Sequence, residues 1–428
     1  MAAPTSISLR SYWQLVRSNR NFRRLWFAQM VSETGDWFYM VALYAMLLQF
    51  TGHAQVLGFA FVLQVLPQAL TGPFAGLIND HFSRKRVMVF TDIARFLIIG
   101  CVLFIRTPNQ VWMIYPLLFI ETVMWGLFEP ARNSVIPNIV SEEDVIVANT
   151  LSSTTWSVNL FLGAALGGIA AVWLGRDLTI TLDIMTFLVS AWLIAGMRFQ
   201  EPHLKGLEDV RLRDAINFTP MLDGFRYIAH QPRMLATVLV KAGMGLSGAS
   251  WVLFPILGKQ VFPIFRSGFT PEKAALAGMS ALMAARGLGS ALGPALGAPW
   301  AQQNWHRLRY GIFFGFLLAA AGYFTLGFTH TAWLAYVEIV LSHAGSAIVW
   351  VFSTTLLQLM SEDKFRGRLF SAELGCCTIT LAATSFAAGY VLDRGIPLQT
   401  VLLATAILIA IAWLFWGALG LRRDQSVR

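Results

Sequence analysis

Two acidic residues interrupt the first long apolar stretch of the sequence. Residues 32–47 read SETGDWFYMVALYAML, so Glu33 and Asp36 lie three positions apart in an otherwise apolar and aromatic run. Residues at this spacing share one face of a helix. A carboxyl group removed from water and from any cation binds a proton more readily, and intramembrane acids mark proton relays. The spacing therefore predicts a proton-binding face, with Asp36 as the carrier and Glu33 as the residue that tunes it or meets the substrate.

Other ionisable residues also fall in the middle of apolar stretches. Glu121 and Glu338 are further candidate proton carriers. Arg286 could neutralise one of the acids, which would make that acid structural, or line the substrate cavity. His343, a further candidate for the substrate cavity, lies near Glu338 as a second titratable group, although a lone His in a helix more often hydrogen-bonds a backbone carbonyl.

The composition indicates which elements must position these groups. Of 428 residues, 56% are hydrophobic and 13% are charged, which is too apolar for one soluble core. About 20 apolar residues cross a bilayer as a helix. We predict an all-α integral membrane protein with twelve spans, near residues 24–50, 54–78, 87–106, 111–130, 146–174, 178–197, 234–262, 273–298, 309–328, 332–358, 369–392 and 397–420.

The net charge of +9 does not indicate a nucleic-acid partner, because the cations alternate between loops. One set of loops holds 23 Lys and Arg residues, and the opposite set holds six. Cytoplasmic loops carry such an excess, so we predict a cell inner-membrane protein with both termini cytoplasmic. The basic N-terminus has no apolar signal core, and we expect no cleavage.

Two segments of the sequence each have a similar counterpart later in the chain, at nearly the same separation. GPFAGLINDHFSRKR begins at Gly72 and GPALGAPWAQQNWHR at Gly293, while SEEDVIVAN begins at Ser141 and SEDKFRGRL at Ser361. A duplication of six spans predicts two halves related by a pseudo-two-fold axis along the membrane normal. The predicted segments are a cytoplasmic N-terminal segment, two six-helix halves joined by a cytoplasmic linker, and a cytoplasmic tail, at 1–23, 24–197, 198–233, 234–421 and 422–428.

The linker contains one amphipathic stretch. Thr219 could cap a helix that Pro220 opens, with apolar residues from Phe218 to Ile228 on one face. We expect this helix to lie on the cytoplasmic membrane surface.

Residues 76–86, GLINDHFSRKR, resemble the cytoplasmic loop motif of the major facilitator superfamily, in which a Gly precedes an Asp and a basic cluster. His81 and Ser83 depart from that pattern. The resemblance covers nearly the whole chain and implies the twelve-helix fold, with a cytoplasmic gate at Gly76, Asp80, Arg84 and Lys85.

A second stretch, NLFLGAALGG at 159–168, is similar to the superfamily's glycine-rich antiporter motif, with Ala164 where Pro is usual. Close helix packing through Gly163, Gly167 and Gly168 follows from the small side chains. Such residues also occur where they only permit packing. The superfamily's motif in span 4 is absent from YPLLFIETVMWG at 115–126.

Three stretches resemble the branch that holds macrolide-efflux proteins and the enterobactin exporter. They are FEPARNSVIPNIVSEEDVIVANTL (128–151), RGLGSALGP (286–294) and FRGRLFSAE (365–373). Members of that branch mostly export drugs or siderophores by exchange with protons, so the resemblance implies export more specifically than it implies a substrate.

We expect a different role for the ionisable residues near the predicted cytoplasmic ends of the spans. Asp92 pairs with Arg95, and Glu129 with Arg132, at a spacing of three that favours ion pairs within one helix. We expect these four residues to act as gate residues. Glu373 would be anchored by the gate residues Arg366 and Arg368, Lys241 would extend along its stem to the cytoplasm, and Asp183 would be interfacial.

Aromatic residues supply a candidate substrate surface. An amphipathic substrate with a cationic group could bind aromatic faces and acids, although each aromatic residue is individually as well explained by packing or lipid contact. The candidates are Trp37, Phe38, Tyr39, Trp125, Phe128, Trp156, Trp251 and Trp350.

No nucleotide-binding loop, nucleophile with its base or metal-ligand cluster is found, so we expect neither an enzyme nor a cofactor. The first hypothesis is a monomeric, proton-coupled antiporter that exports an amphipathic drug, macrolide or siderophore by alternating access, with membrane lipid as its surroundings. A lipid or lysophospholipid flippase, an importer of the same fold, and a non-transporting scaffold or sensor remain alternatives.

Overall fold

The computed structural model describes residues 9–204, 232–301, 304–361 and 363–421. The described residues form helices joined by short turns. The amphipathic linker helix and the C-terminal tail lie outside the described residues. The helices are α1 (Leu9–Ser18), α2 (Arg20–Thr51), α3 (Ala54–His81), α4 (Arg84–Val102), α5 (Ile114–Ile139), α6 (Val145–Ala195), α7 (Pro232–Gly245), α8 (Ser250–Gln260), α9 (Pro271–Ala301), α10 (Trp305–Leu326), α11 (Ala332–Met360), α12 (Asp363–Asp393) and α13 (Leu398–Leu419).

Eight stretches of the described residues are long and apolar enough to cross a membrane. One of them, Glu142–Ala195, contains two successive helices, because Gly175 interrupts α6 with a φ of 80°. That left-handed conformation favours glycine. Helices α2, α3 and α4 are outside these eight stretches. The structure is therefore a multi-span helical protein, and the count of twelve spans stays a prediction.

Residue contacts divide the structure into two units. The N-terminal unit comprises Met1–Leu43 and Leu70–Asn217, and the C-terminal unit comprises Tyr44–Ala69 and Phe218–Arg428. Helices α2 and α3 thus each contribute residues to both units. The predicted halves at 24–197 and 234–421 stay a prediction, and the hairpin at residues 44–69 belongs by its contacts to the C-terminal unit.

The N-terminal unit packs α2, α4, α5 and α6 around an apolar core that includes Phe22, Met88 and Ile136. Small residues bring α6 close to α2. A Cβ atom on Gly163 would lie 2.8 Å from Trp37 Cβ, and one on Gly167 would lie 2.9 Å from Phe38 Cα. Gly168 is buried as well. These contacts are consistent with the predicted packing role of the glycine-rich stretch.

In the C-terminal unit, the first part of α3 packs on the end of α12. A Cβ atom on Gly58 would lie 2.7 Å from Ser385 O, and one on Gly389 would lie 2.7 Å from Ala54 O. Asp393 accepts hydrogen bonds from the backbone N–H groups that begin α3, at 2.7 and 2.9 Å. The carboxylate therefore caps α3 from a neighbouring helix, at the end where a negative charge is favoured.

Candidate functional site

A buried ion pair lies on α4 in the N-terminal unit. Asp92 and Arg95 are one helical turn apart and form the predicted pair, and both side chains are at most 1% exposed. Ser190 of α6 donates a hydrogen bond to Asp92 Oδ2 at 2.6 Å. The Arg95 guanidinium lies between two aromatic rings, 4.8 Å from the centroid of Phe128 and 4.5 Å from that of Phe187. Burial, pairing and stacking together fix the position of this cation.

Three more carboxyl groups surround this pair. Asp36 of α2 and Glu121 of α5 both interact electrostatically with Arg95. Asp183 of α6 interacts with Asp36, Glu121 and Arg95. We call Asp36, Asp92, Glu121 and Asp183 the acid cluster. Two of the proton candidates, Asp36 and Glu121, therefore lie within electrostatic reach of a pair that we expected only at a gate.

The prediction for Asp183 was wrong. Its side chain is fully buried, and its Oδ2 atom has no hydrogen-bond partner among the described residues. Gly35 makes room for it, because a Cβ atom there would lie 2.5 Å from Asp183 Oδ1. The short distance from Asp177 in the sequence indicated an interfacial position. The packing of α6 against α2 instead encloses the side chain.

Glu33 lies one turn before Asp36 but has different partners. Gln29 Nε2 donates to Glu33 Oε1 at 2.8 Å, and Asn159 Nδ2 donates to Oε2 at 3.0 Å. Asn159 also accepts a hydrogen bond from Thr34 at 3.3 Å. Both carboxylate oxygens of Glu33 are thus held by amides. No hydrogen bond to the Asp36 carboxylate is found among the described residues of this unit.

The second predicted pair on one helix also forms. Arg132 of α5 donates to both carboxylate oxygens of Glu129, and Arg132 is 6% exposed. Both residues interact electrostatically with Glu33. The Glu129–Arg132 pair therefore lies within electrostatic reach of the acid-bearing face of α2.

The basic residues that begin α4 bind carbonyl groups near the ends of neighbouring helices. Arg84 Nη1 donates to Ser134 O at 3.0 Å, and Lys85 Nζ donates to Met197 O at 3.0 Å. Lysine and arginine side chains stabilise carbonyl groups at the C-terminal ends of helices in this way. These contacts link the start of α4 to α5 and to the end of α6.

The acidic member of the loop motif makes a weaker contact. Asp80 has a side chain that is 71% exposed and lies 3.9 Å from Arg84 Nη2, and a Cβ atom on Gly76 would meet nothing within 4 Å. Glu201, which the sequence analysis did not select, accepts a hydrogen bond from Ser83 at 2.5 Å. The gating role of the motif stays a prediction.

A buried pair between two helices lies in the C-terminal unit. Lys241 Nζ of α7 donates to Glu373 Oε2 of α12 at 2.8 Å, with side-chain exposures of 6% and 1%. The ammonium group also lies 4.3 Å from the centroid of the Trp350 ring. Lys241 therefore does not extend to the cytoplasm, contrary to our expectation, and Glu373 takes Lys241 as its cation. The side chains of Arg366 and Arg368 lie outside the described residues.

Arg286 lies in the middle of α9, about 15 residues from either end, or roughly 22 Å at 1.5 Å per residue. Its guanidinium stacks on Trp251 at 3.7 Å from the ring centroid, and Trp251 stacks on Phe61 at 4.6 Å. Tyr44 and Tyr323 interact with it electrostatically. No carboxylate of the described C-terminal unit forms an ion pair with Arg286, and its Nη1 atom has no hydrogen-bond partner there.

The contact with the Trp251 ring does not fully offset the free-energy cost of placing the Arg286 charge inside the helix. A central arginine costs at least about 2.5–3.5 kcal/mol on insertion scales. A desolvated contact between a cation and an aromatic face contributes about 2 kcal/mol. Arg286 is thus left with an uncompensated charge inside an apolar helix.

Glu338 and His343 take separate partners. Thr329 contacts both carboxylate oxygens of Glu338, at 2.9 and 2.8 Å, while His343 Nδ1 lies 3.1 Å from Ile339 O. The backbone contact that we considered more common for a lone His is the one that forms. Glu338 is in the second turn of α11, about 9 Å from its start, and its role as a proton carrier stays a prediction.

The aromatic candidates do not share one environment. Their exposed fractions range from 51% for Trp156 to 5% for Tyr39 and Phe128. Four of them contact residues described above: Trp37 with Gly163, Phe128 with Arg95, Trp251 with Arg286, and Trp350 with Lys241. Trp125 is partly buried. Sequence reasoning missed Phe61, because a single Phe in an apolar helix carries no chemical signal.

Comparisons with known proteins concern the family and the fold of this chain. A family model described as Major Facilitator Superfamily matches residues 25–373. The putative bacilysin exporter BacE of Bacillus subtilis (strain 168) is 24% identical over 83% of this chain and 86% of its own. Macrolide efflux protein A of Streptococcus pyogenes is 26% identical, over 51% of this chain and only 54% of its own length.

The fold is similar to that of a solved transporter. The crystal structure of the nucleoside transporter NupG matches with a TM-score of 0.75 over 94% of this chain and 100% of that chain. The sequence identity is 10%, so the likeness concerns the fold alone.

Proposed function

Because this chain belongs to the Major Facilitator Superfamily, and is therefore a membrane transporter and not an enzyme, we propose that it exports an amphipathic small molecule in exchange for protons. The observation that carries this proposal is the acid cluster. Two fully buried carboxyl groups, those of Asp92 and Asp183, and two partly buried ones, those of Asp36 and Glu121, lie within electrostatic reach of a single guanidinium, that of Arg95. Full ionisation would leave three uncompensated negative charges in surroundings of low dielectric. Proton uptake relieves that excess, and the release of protons restores it.

Asp36 is the proposed carrier within the cluster. Glu33 has amide donors on both carboxylate oxygens, and hydrogen bonds of this kind stabilise one fixed state. Asp36 interacts with Arg95 and Asp92 and has no such donors among the described residues. Its charge can change without breaking a hydrogen-bonded network. Glu121 and Asp183, which interact with Asp36, would share the proton, and Glu33 would tune the site.

The relatives support the direction of transport. Their names describe a putative bacilysin exporter and a macrolide efflux protein, so export is the direction we propose. Partly buried aromatic residues, including Trp37, Trp125 and Trp251, offer apolar faces for the substrate. In this proposal the chain has twelve spans in two related halves, lies in the cell inner membrane with both termini cytoplasmic, and works as a monomer by alternating access.

The test uses the full-length protein in proteoliposomes with a pH-sensitive dye inside. A panel of macrolides, siderophores and fluorescent lysophospholipids is offered under an imposed proton gradient. Asp36→Asn should retain substrate exchange at equilibrium and lose accumulation against a gradient, because it keeps the shape of the side chain without the titrating oxygen. Glu143→Gln, a change at an exposed acid, should behave like wild type.

Two results contradict the proposal at different levels. If Asp36→Asn still concentrates substrate, Asp36 is not the carrier. If the wild-type protein moves protons with no member of the panel, proton-coupled export fails, and lysophospholipid movement without protons would instead favour a flippase.

A further inference from the structure

The C-terminal unit contains a second binding feature, which the acid cluster does not use. Arg286 is at the centre of α9, stacks on Trp251 at 3.7 Å, and has a guanidinium nitrogen without a hydrogen-bond partner among the described residues. We propose that Arg286, Trp251 and Phe61 form a subsite for the carboxylate end of the substrate. The transported molecule would then be an amphipathic organic anion or zwitterion, and this inference rests on the proposed export function.

The buried cations provide the first argument. Arg95, Arg132 and Lys241 each have a carboxylate partner within the same unit. Arg286 is partly exposed and has no such partner in the described C-terminal unit, although it lies as far from the ends of its helix as any of them. A charge inside an apolar helix normally has a partner, so the absent anion is best supplied by a ligand that comes and goes.

The aromatic residues provide the second argument. Trp251 and Phe61 stack with an interplanar angle of 22° and a centroid separation of 4.6 Å, and the guanidinium covers the Trp251 ring. This places a fixed cation beside an apolar surface. Because arginine offers two parallel N–H donors that match a carboxylate, a molecule with a carboxylate next to an apolar or aromatic group fits both parts.

The neighbouring groups are compatible with an anion. The groups that interact with Arg286 or lie near it are phenols and an imidazole, from Tyr44, Tyr323 and His343. Tyr44 donates a hydrogen bond to Gln64 at 3.0 Å, and His343 contacts a backbone carbonyl. None of these groups brings a negative charge that would repel a carboxylate. Arg286 is partly exposed as a residue, while its unpartnered Nη1 atom is buried, so a carboxylate that binds this atom must displace the side chains that cover it.

The experiment compares acids with their amides. Binding of three probe pairs is measured by calorimetry on the full-length protein in lipid nanodiscs. The probes are N-acetylphenylalanine, benzoylglycine and alanylphenylalanine, each as the free acid and as the C-terminal amide, which lacks the carboxylate charge. A hydrogen bond to a charged group increases affinity roughly ten- to hundredfold. At least one acid should therefore bind more tightly than its amide, by a factor of about ten or more. This comparison needs no variant.

Variants then assign the preference to one side chain. Arg286→Gln should bring the acid and the amide to similar affinity, and Arg286→Lys should retain part of the preference because it keeps the charge without the fork. Arg307→Gln is the matched control, because Arg307 also lies over a tryptophan, Trp300, at 6.0 Å but is exposed. That control should keep the full preference.

The outcomes separate this inference from the export proposal. It is overturned if no acid binds, if the amides bind as well as the acids, or if Arg286→Gln leaves the preference intact. Proton-coupled transport of neutral or cationic compounds with no preference for acids would leave the export proposal standing and contradict the subsite. A preference for acids that depends on Arg286, without any proton movement, would support the subsite and contradict proton-coupled export.

Discussion

The two units treat buried charge in opposite ways. In the N-terminal unit, four carboxyl groups interact with one guanidinium, that of Arg95. In the C-terminal unit, the Lys241–Glu373 pair is balanced, and Arg286 is a cation without a carboxylate partner in the described part of that unit. The N-terminal unit therefore gathers four carboxyl groups near one cation, whereas the described C-terminal unit holds Arg286 apart from its carboxylates, of which Glu338 takes Thr329 as its partner.

This difference assigns separate chemistry to each unit. An excess of acid is suited to binding protons, because a proton neutralises a carboxylate in place. A cation without a carboxylate partner is suited to binding an anion that arrives from solution. If both proposals hold, proton binding and substrate recognition lie on different groups, and the expectation that the acids attract a cationic substrate stays a prediction.

The largest change in stability should follow the loss of Arg95, the cation beside the acid cluster. Arg95→Met should reduce the free energy of unfolding by about 3–5 kcal/mol, because it leaves buried carboxylates uncompensated. The unfolding midpoint in an SDS titration measures this. Arg106→Met is the control, since Arg106 pairs with Asp177 at 2.5 Å but both side chains are about half exposed, and its loss should be about 0–1 kcal/mol. Equal losses would contradict the distinct role of Arg95.

The balanced pair should behave as a unit. Lys241→Met alone should also reduce the free energy of unfolding, by about 3 kcal/mol or more, because Glu373 is then buried without its cation. The double variant Lys241→Met with Glu373→Met should recover most of that loss, since apolar residues of similar volume can replace a buried pair. The same SDS titration tests this, and a double variant as unstable as the single one would argue against a simple pair.

The smallest expected change in the free energy of unfolding is an increase, not a loss. Arg286→Met removes an unpaired charge and should raise the free energy of unfolding by about 1 kcal/mol, since the cost of about 2.5–3.5 kcal/mol exceeds the ring contact of about 2 kcal/mol. Stability gained at the expense of function is typical of binding sites. A loss of stability on this substitution would mean that Arg286 already has a compensating partner, and would weaken the contrast between the units.

Contacts along one helix were predictable from the sequence, and contacts between helices were not. The Asp92–Arg95 and Glu129–Arg132 pairs follow from a spacing of three, which fixes the distance wherever the helix lies. The Lys241–Glu373 pair joins residues 132 positions apart, and Asp183 approaches Asp36 only because α6 packs on α2. No local pattern encodes either contact.

The sequence by itself determined the membrane class, the family and the short list of groups able to do chemistry, because apolar length and costly intramembrane charges are properties of the chain. Only the tertiary structure decided which of those charges are neutralised. Pairing depends on which helix faces meet, and that is set by the packing of small residues such as Gly35, Gly163 and Gly167 against side chains far away in the sequence. For this reason Arg95 and Arg286, both cations within the apolar part of a helix, have opposite surroundings.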